Sequence, residues 1–466
     1  MSHAPMPRPP EPSTARVVEV RVAPVPLDRL TPLLAPERVG ELGRHVAAVR
    51  RLLGGRTVWN INSTARGGGV AEMLHGLVAY AAGAGLTVRW LTVGGGPEFF
   101  AVTKRLHNRL HGSPGDGGAL DAAARATYDA TLAAQEQQVL DLVQPGDVVL
   151  LHDPQTAGLA QVLRRRGVWV VWRCHVGVDE HDQWTREAWA FLRDLVEPAH
   201  ACVFSREQFA PDWVDRRWLR IIPPSLDPFS PKNVGLGAEE IDALVHREEM
   251  VVEGGPVPSR DARVVLQVSR WDRLKDMGGV LDAFSRHLDA LPSDVHLVLA
   301  GPETTGVADD PEAVEVLAAC REQWQSLPAA ARERSHLLSV PMDDLDENAR
   351  TINALQRWAT VGIQKSLAEG FGLTVTEPMW KGRPVVASAV GGIRDQVEDG
   401  VCGLLLDDPR DGEALVGALA SLLADPERCE RMGRAAHLRV RDHYLADRHL
   451  IQYAELFGQL LESGEA

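Results

Sequence analysis

From about residue 56 onward the chain alternates short β-branched, apolar runs with longer helix-like segments, a pattern that restricts it to parallel α/β architecture. The first series of runs is Thr57–Asn62, Thr87–Val93, Val148–His152, Val168–Trp172, Ala201–Ser205 and Arg220–Pro223. Between them lie helical patterns such as Val70–Ala82, where Met73, Leu74, Leu77 and Val78 recur at three- and four-residue spacing, and Pro97–Leu110. A second series begins near residue 262 with Val264–Val268, Val295–Ala300, Leu337–Val340, Gly362–Lys365, Pro384–Ala387 and Gly403–Leu406.

Two Rossmann-like halves are therefore expected, joined by the proline-punctuated stretch Pro223–Asn233. The expected organisation is a proline-rich disordered tail over 1–36, a first doubly wound domain over 37–228, a second over 229–444, and a helix over 445–466 that crosses back to the first. Such domains bind ligands beyond the carboxyl ends of their strands. Tandem Rossmann domains also serve dehydrogenases, epimerases and periplasmic-type binding proteins, so the motifs have to choose among these.

Composition narrows the classes. Lys+Arg number 49 against 64 Asp+Glu, a formal charge of −15 with no long basic stripe, which disfavours nucleic acid and anionic membrane surfaces as partners. No apolar run reaches the roughly 20 residues that span a bilayer. Five cysteines, Cys174, Cys202, Cys320, Cys402 and Cys429, form no CxxC pair, and the first residues lack the apolar core of a secretory signal. Reduced thiols and a cytoplasmic location are the expectation.

Three segments carry chemistry. Ser63–Val70 (STARGGGV) follows the first strand and opens the first helix, where Gly68 and Gly69 let a ligand approach the backbone; the spacing is not that of the dinucleotide fingerprint. Ser269–Asp276 (SRWDRLKD) follows the strand VVLQV, and Arg270 and Lys275 suit a diphosphate. In Gly362–Glu377 a strand ends near Lys365 and a helix starts around Leu373, so amides near Gly372, Leu373 and Thr374 favour an anion. Glu369, before that helix, and Glu377, within it, suit sugar and ribose hydroxyls.

The string EGFGLTVTE (Glu369–Glu377) resembles the E-x7-E motif of retaining GT-B glycosyltransferases of family 4, and Arg270 with Lys275 resembles that family's basic pair. Within the family the resemblance is to the trehalose glycosyltransferring synthases, through Val58–Val78, HDPQ (His152–Gln155), WRCHVG (Trp172–Gly177), PPSLDPFSPKN, Gln364–Val385 and Ala389–Gly400. The resemblance implies an α/β GT-B fold, two Rossmann-like doubly wound domains facing a central cleft, the first for acceptor and the second for nucleotide sugar. It further implies a retaining glucosyltransferase that makes α,α-trehalose from a nucleoside-diphosphate-glucose, such as ADP-glucose or UDP-glucose, and glucose.

By the same resemblance Arg270 and Lys275 hold the diphosphate, Glu369 with Gly370, Phe371, Gly372 and Leu373 orients the donor glucose, Glu377 binds the ribose, and His175 contacts the donor sugar. The resemblance also implies that Gly68 and Gly69 lie under the phosphates and beside the acceptor. His152 and Asp153, at another strand end, are acceptor candidates by position. No metal and no resident cofactor are expected, the partners are small sugars and nucleotide sugars, and a homodimer is implied by resemblance alone. The alternatives are a family member with another acceptor, such as a sugar phosphate or lipid-linked sugar, and a non-catalytic sugar-nucleotide sensor.

Overall fold

The computed structural model describes residues 16–65, 68–247, 250–304 and 311–464. Arg66 and Gly67 of the glycine loop, and the first fifteen residues of the expected tail, lie outside the described residues. The chain forms two compact units, one ending at Ile222 and resuming at Leu450, the other running from Pro223 to His449. Both are α/β, each built on a seven-stranded sheet.

In the first unit the strands are β1 (Val18–Val20), β2 (Val58–Asn62), β3 (Val88–Thr92), β4 (Val148–His152), β5 (Trp169–Cys174), β6 (Ala201–Phe204) and β7 (Leu219–Ile221). Their spatial order is β1-β3-β2-β4-β5-β6-β7, parallel except for β1 against β3. Strands β2, β4 and β5 are buried at every position, as befits a sheet covered on both faces. Trp59, Ile61, Val149, Leu151, Val170 and Trp172 point into one core with helices Pro97–Leu110, Ala122–Leu142 and Gln183–Val196. Alternation sends Val58, Asn60 and Leu150 to the opposite face, beside Val49, Leu77, Tyr453 and Phe457.

The tail expected to be disordered through residue 36 is corrected by β1, which pairs Val18 with Thr92 and Val20 with Trp90. Val18 and Val20 supply strand propensity that the surrounding prolines obscure.

The second unit contains β8 (Val251–Gly254), β9 (Arg263–Val268), β10 (Val295–Pro302), β11 (Ser335–Val340), β12 (Val361–Gln364), β13 (Val385–Ser388) and β14 (Gly403–Leu406). Their order is β14-β13-β12-β9-β10-β11-β8, with only the edge strand β8 antiparallel to its neighbour. Strand order reverses between β2 and β4 in the first unit and between β9 and β12 in the second, and the crevice beyond such a reversal is where an open α/β sheet takes its ligand.

Candidate active site

At the reversal in the second unit, β9 runs into the basic loop and β12 into the glutamate loop. Ser269 Oγ and Gln364 Oε1, one from each strand end, lie 3.2 Å apart, and the Leu367 amide donates to the Leu274 carbonyl at 2.8 Å. Lys275 Nζ meets Glu369 Oε2 at 2.5 Å, with side chains only 13% and 12% exposed. A pair this enclosed holds its geometry mainly because removing either member strands the other charge. Lys365, 2% exposed, pairs with Asp276 beside it. Arg270 is half-exposed and donates to Asp272 at 3.1 Å, while the other oxygen of Asp272 caps the short helix Arg273–Lys275 by accepting from the Leu274 amide at 2.8 Å. Arg270 and Lys275 thus share a loop, each already facing a carboxylate.

The loop after β12 reaches the helix Leu373–Trp380 through Gly372, whose φ of 91° is open to glycine and strained for other residues. Gly370, Phe371 and Gly372 are buried, and Leu373 is half-buried at the helix start. Gln396 donates to the Phe371 carbonyl at 2.5 Å and accepts from Thr376 Oγ1 at 2.6 Å. The Gly392 amide donates to the Gly370 carbonyl at 3.1 Å. A β-carbon on Gly391 would sit 1.7 Å from the Glu369 carbonyl oxygen, and one on Gly392 would sit 2.7 Å from Phe371 Cα. The glycines of the AVGGIRDQ string therefore let a neighbouring turn clasp the glutamate loop. Sequence reasoning quoted that string for its resemblance and missed this contact, for which the paired glycine was the available signal.

Glu377 is buried, receiving a hydrogen bond from Gln356 Nε2 at 2.8 Å and pairing with Lys232 Nζ at 3.4 Å. Gln356 in turn accepts from Lys381 Nζ at 2.7 Å. Pro378 is the sixth residue of its eight-residue helix, beyond the early position where the ring is readily accommodated. Its ring packs against Gly362 of β12, where a β-carbon would lie 3.3 Å away.

At the reversal in the first unit, β2 ends at Asn62, which accepts from Trp90 Nε1 at 2.7 Å and donates to the Thr64 carbonyl at 2.6 Å. Gly68, with φ 79°, precedes the helix Gly69–Gly83, and both Gly68 and Gly69 are exposed. Strand β4 delivers His152 and Asp153, and His175 follows β5. The structure brings these three together. His152 Nδ1 lies 3.1 Å from His175 Nε2, His152 Nε2 lies 3.1 Å from Asn60 Oδ1, and Asp153 Oδ1 accepts from the His175 amide at 2.7 Å.

Asp153 has φ 63° and ψ 177°, a region almost reserved for glycine, where backbone strain of about 1–3 kcal/mol persists only if the surroundings enforce it. Burial pushes its carboxyl up to about 7, against the opposing pull of the His175 amide and Arg173. Burial, assisted by the positive charge of Arg173, holds His152 down to about 3. Arg173 is fully buried, opposite His152 in register, and its guanidinium has no hydrogen-bond partner among the described residues. His152 is 1% exposed, which removes it from direct contact with an acceptor and places it behind His175. Asn60 and Arg173 were not singled out from sequence, although strand alternation puts Asn60 on the face of Leu150 and His152.

Among the described residues no group of three His, Cys, Asp or Glu side chains is arranged to hold a metal ion, and no helix is long and apolar enough to cross a membrane.

Comparison with known proteins bears on the family and the fold. Residues 60–211 match the family model "Trehalose synthase, N-terminal domain", and residues 256–439 match "Glycosyl transferases group 1". The chain is 35% identical over 410 residues to a trehalose synthase of Pyrococcus horikoshii, covering 88% of this chain and 91% of the relative. It is 35% identical over 436 residues to a trehalose synthase of Rubrobacter xylanophilus, covering 92% and 95%. In fold it is similar to an α,α-trehalose-phosphate synthase (UDP-forming) from Burkholderia vietnamiensis, with a TM-score of 0.67 at 17% identity over 86% of this chain and 98% of that one. With two doubly wound units of GT-B type and this degree of identity over most of its length, the chain belongs to the trehalose synthase family of glycosyltransferases.

Proposed function

We propose that the protein is a retaining glucosyltransferase that joins the glucose of a nucleoside-diphosphate-glucose to the anomeric hydroxyl of a second glucose, forming α,α-trehalose and releasing the nucleoside diphosphate. The observation that carries this reading is the Lys275–Glu369 pair at the strand-order reversal, directly before a glycine-led helix start. Lys275 and Arg270 supply positive charge for a diphosphate, and the amides at Gly372 and Leu373 add the partial charge of a helix N-terminus. Glu369 then orients the donor glucose, with Glu377 toward the ribose. In this reading Gly68 and Gly69 serve the donor phosphates and Asp153 serves the acceptor.

In the transfer, the bond from the donor anomeric carbon to the β-phosphate oxygen breaks with its electron pair leaving on the phosphate. The acceptor O1 forms the new bond on the same face, and its proton passes to a phosphate oxygen. Lys275 and Arg270 stabilise the charge that develops on the leaving group, so their contribution is greatest in the transition state. The partners in this reading are a small sugar and a nucleotide sugar, with no resident cofactor.

The test is incubation with UDP-glucose or ADP-glucose plus glucose, followed by linkage analysis. A non-reducing disaccharide and one equivalent of nucleoside diphosphate are expected. A reducing product, or no transfer with any nucleoside-diphosphate-glucose, overturns the assignment. Lys275→Ala should lower kcat by on the order of 10²-fold or more, with a folded far-ultraviolet spectrum retained.

A further inference from the structure

The two loops at the strand-order reversal of the second unit exchange charges in both directions. The loop after β9 sends Lys275 to Glu369, and the loop after β12 sends Lys365 to Asp276. Each loop thus gives the other one cation and one anion. Asp276, with φ 49° and ψ 42°, is where the chain leaves the short helix Arg273–Lys275 and enters the helix Met277–Arg286. A β-carbon on Gly279 would come within 2.3 Å of Asp276 Oδ2. That glycine leaves room for the carboxylate over the first helical turn, whose partial positive charge favours it. Gln267 of β9 joins the same two loops through their backbone: its Nε2 donates to the Lys275 carbonyl at 2.7 Å, and its Oε1 accepts from the Lys365 amide at 3.3 Å. A carbonyl on one side and an N–H on the other leave a single orientation for that amide.

The two ion pairs differ in what a transfer asks of them. In the transferase reading Lys275 turns to the diphosphate and Glu369 to the donor glucose, so their mutual contact is given up when donor binds. Lys365, only 2% exposed, stays out of a ligand's reach. A buried ion pair adds little net stability, because desolvation offsets the attraction, yet losing one member strands the other. We propose that Lys365 and Asp276 are positioning residues, whose pair keeps the two loops in place while a donor diphosphate draws Lys275 away from Glu369. This role deepens the transferase reading and rests on it for the identity of that ligand. The gain is preorganisation, since loops already set need no ordering on binding.

Hydrogen–deuterium exchange of the unliganded full chain reads this tie at the Leu367 amide, which donates to the Leu274 carbonyl at 2.8 Å. Glu369→Gln, which removes the Lys275 pair alone, should leave residues 366–372 as protected as in wild type. The double variant Lys365→Met/Asp276→Asn removes both charges of the tie and should speed exchange there about tenfold, the size of one net hydrogen bond. Its urea midpoint should stay near wild type, whereas Lys365→Met alone strands the carboxylate and should lower it. Calorimetric titration with UDP and ADP should show Kd raised about tenfold in the double variant, and kcat should fall by about 10- to 10²-fold with the KM for glucose unchanged. Asp276→Asn alone keeps an acceptor oxygen and a side chain tolerant of positive φ. It should move exchange and affinity in the same direction, and serves if the double variant fails to fold. Wild-type exchange in the double variant, or an affinity that recovers together with its urea midpoint, overturns the proposal. So does Glu369→Gln exposing the segment as much as the double variant does. Exchange and nucleotide affinity that respond as stated while no trehalose forms leave the tie standing and overturn the transferase reading.

Discussion

At the scale of single residues, the neighbours His152 and Asp153 titrate in opposing senses. Asp153 has its carboxyl raised from 3.8 to about 7, so between those values the folded chain keeps a proton that the unfolded chain has lost, and stability falls as pH rises. His152 is lowered from 6.5 to about 3, so between those values the unfolded chain holds the extra proton and stability rises with pH. The two slopes offset one another in the native protein. Relative to wild type, Asp153→Asn should gain stability as pH rises from 4 to 7, whereas His152→Asn should lose it as pH rises from 4 to 6.5, the other buried histidines His200 and His336 contributing equally to all three proteins. Urea midpoints across that range read both; parallel profiles for the two variants would contradict the assignment. None of this was legible from residue types, because a histidine and an aspartate at a strand end look like surface ligands. Their burial depends on partners far along the chain, Asn60 and Arg173, which only sheet register brings alongside.

At the scale of elements, the glutamate loop between β12 and its helix is shaped by the turn that follows β13. Gly391 has φ 49° and no room for a β-carbon beside the Glu369 carbonyl. Gly391→Ala should therefore displace the Glu369–Phe371 backbone and lower transfer severalfold while the protein still unfolds in a cooperative transition. Activity retained at the wild-type level would show that the loop tolerates the displacement. The parallel strands of both sheets were readable because each is a compact apolar run, as in VVLQV or VVLLH, bounded by turn residues. Strands β1 and β8 escaped notice because both are short, edge-located and antiparallel, with side chains partly exposed. Similarly, Arg270, Lys275 and Glu369 could be placed at strand ends from their motifs. The engagement of Lys275 with Glu369, 94 residues apart in sequence, and of Arg270 with Asp272, could not, since it depends on how the two loops lie across the reversal.

At the scale of the whole molecule, the first unit is discontinuous, its last part supplied by the chain after Leu450. Leu450, Tyr453, Leu456, Phe457 and Leu460 are all buried. At about 1.5–3 kcal/mol for each large apolar side chain, their removal is comparable to the entire margin of about 5–15 kcal/mol that keeps a domain folded. A chain stopped at His449 should lose the first unit's unfolding transition while retaining that of the second, as read by calorimetry; two intact transitions would contradict this. The same discontinuity sets an order of events on the ribosome. Domains ordinarily mature in the order they are made. Here the second unit has its whole sequence available first, and the first unit, though begun earlier, has one face of its sheet covered only after Leu450, Tyr453 and Phe457 have been made.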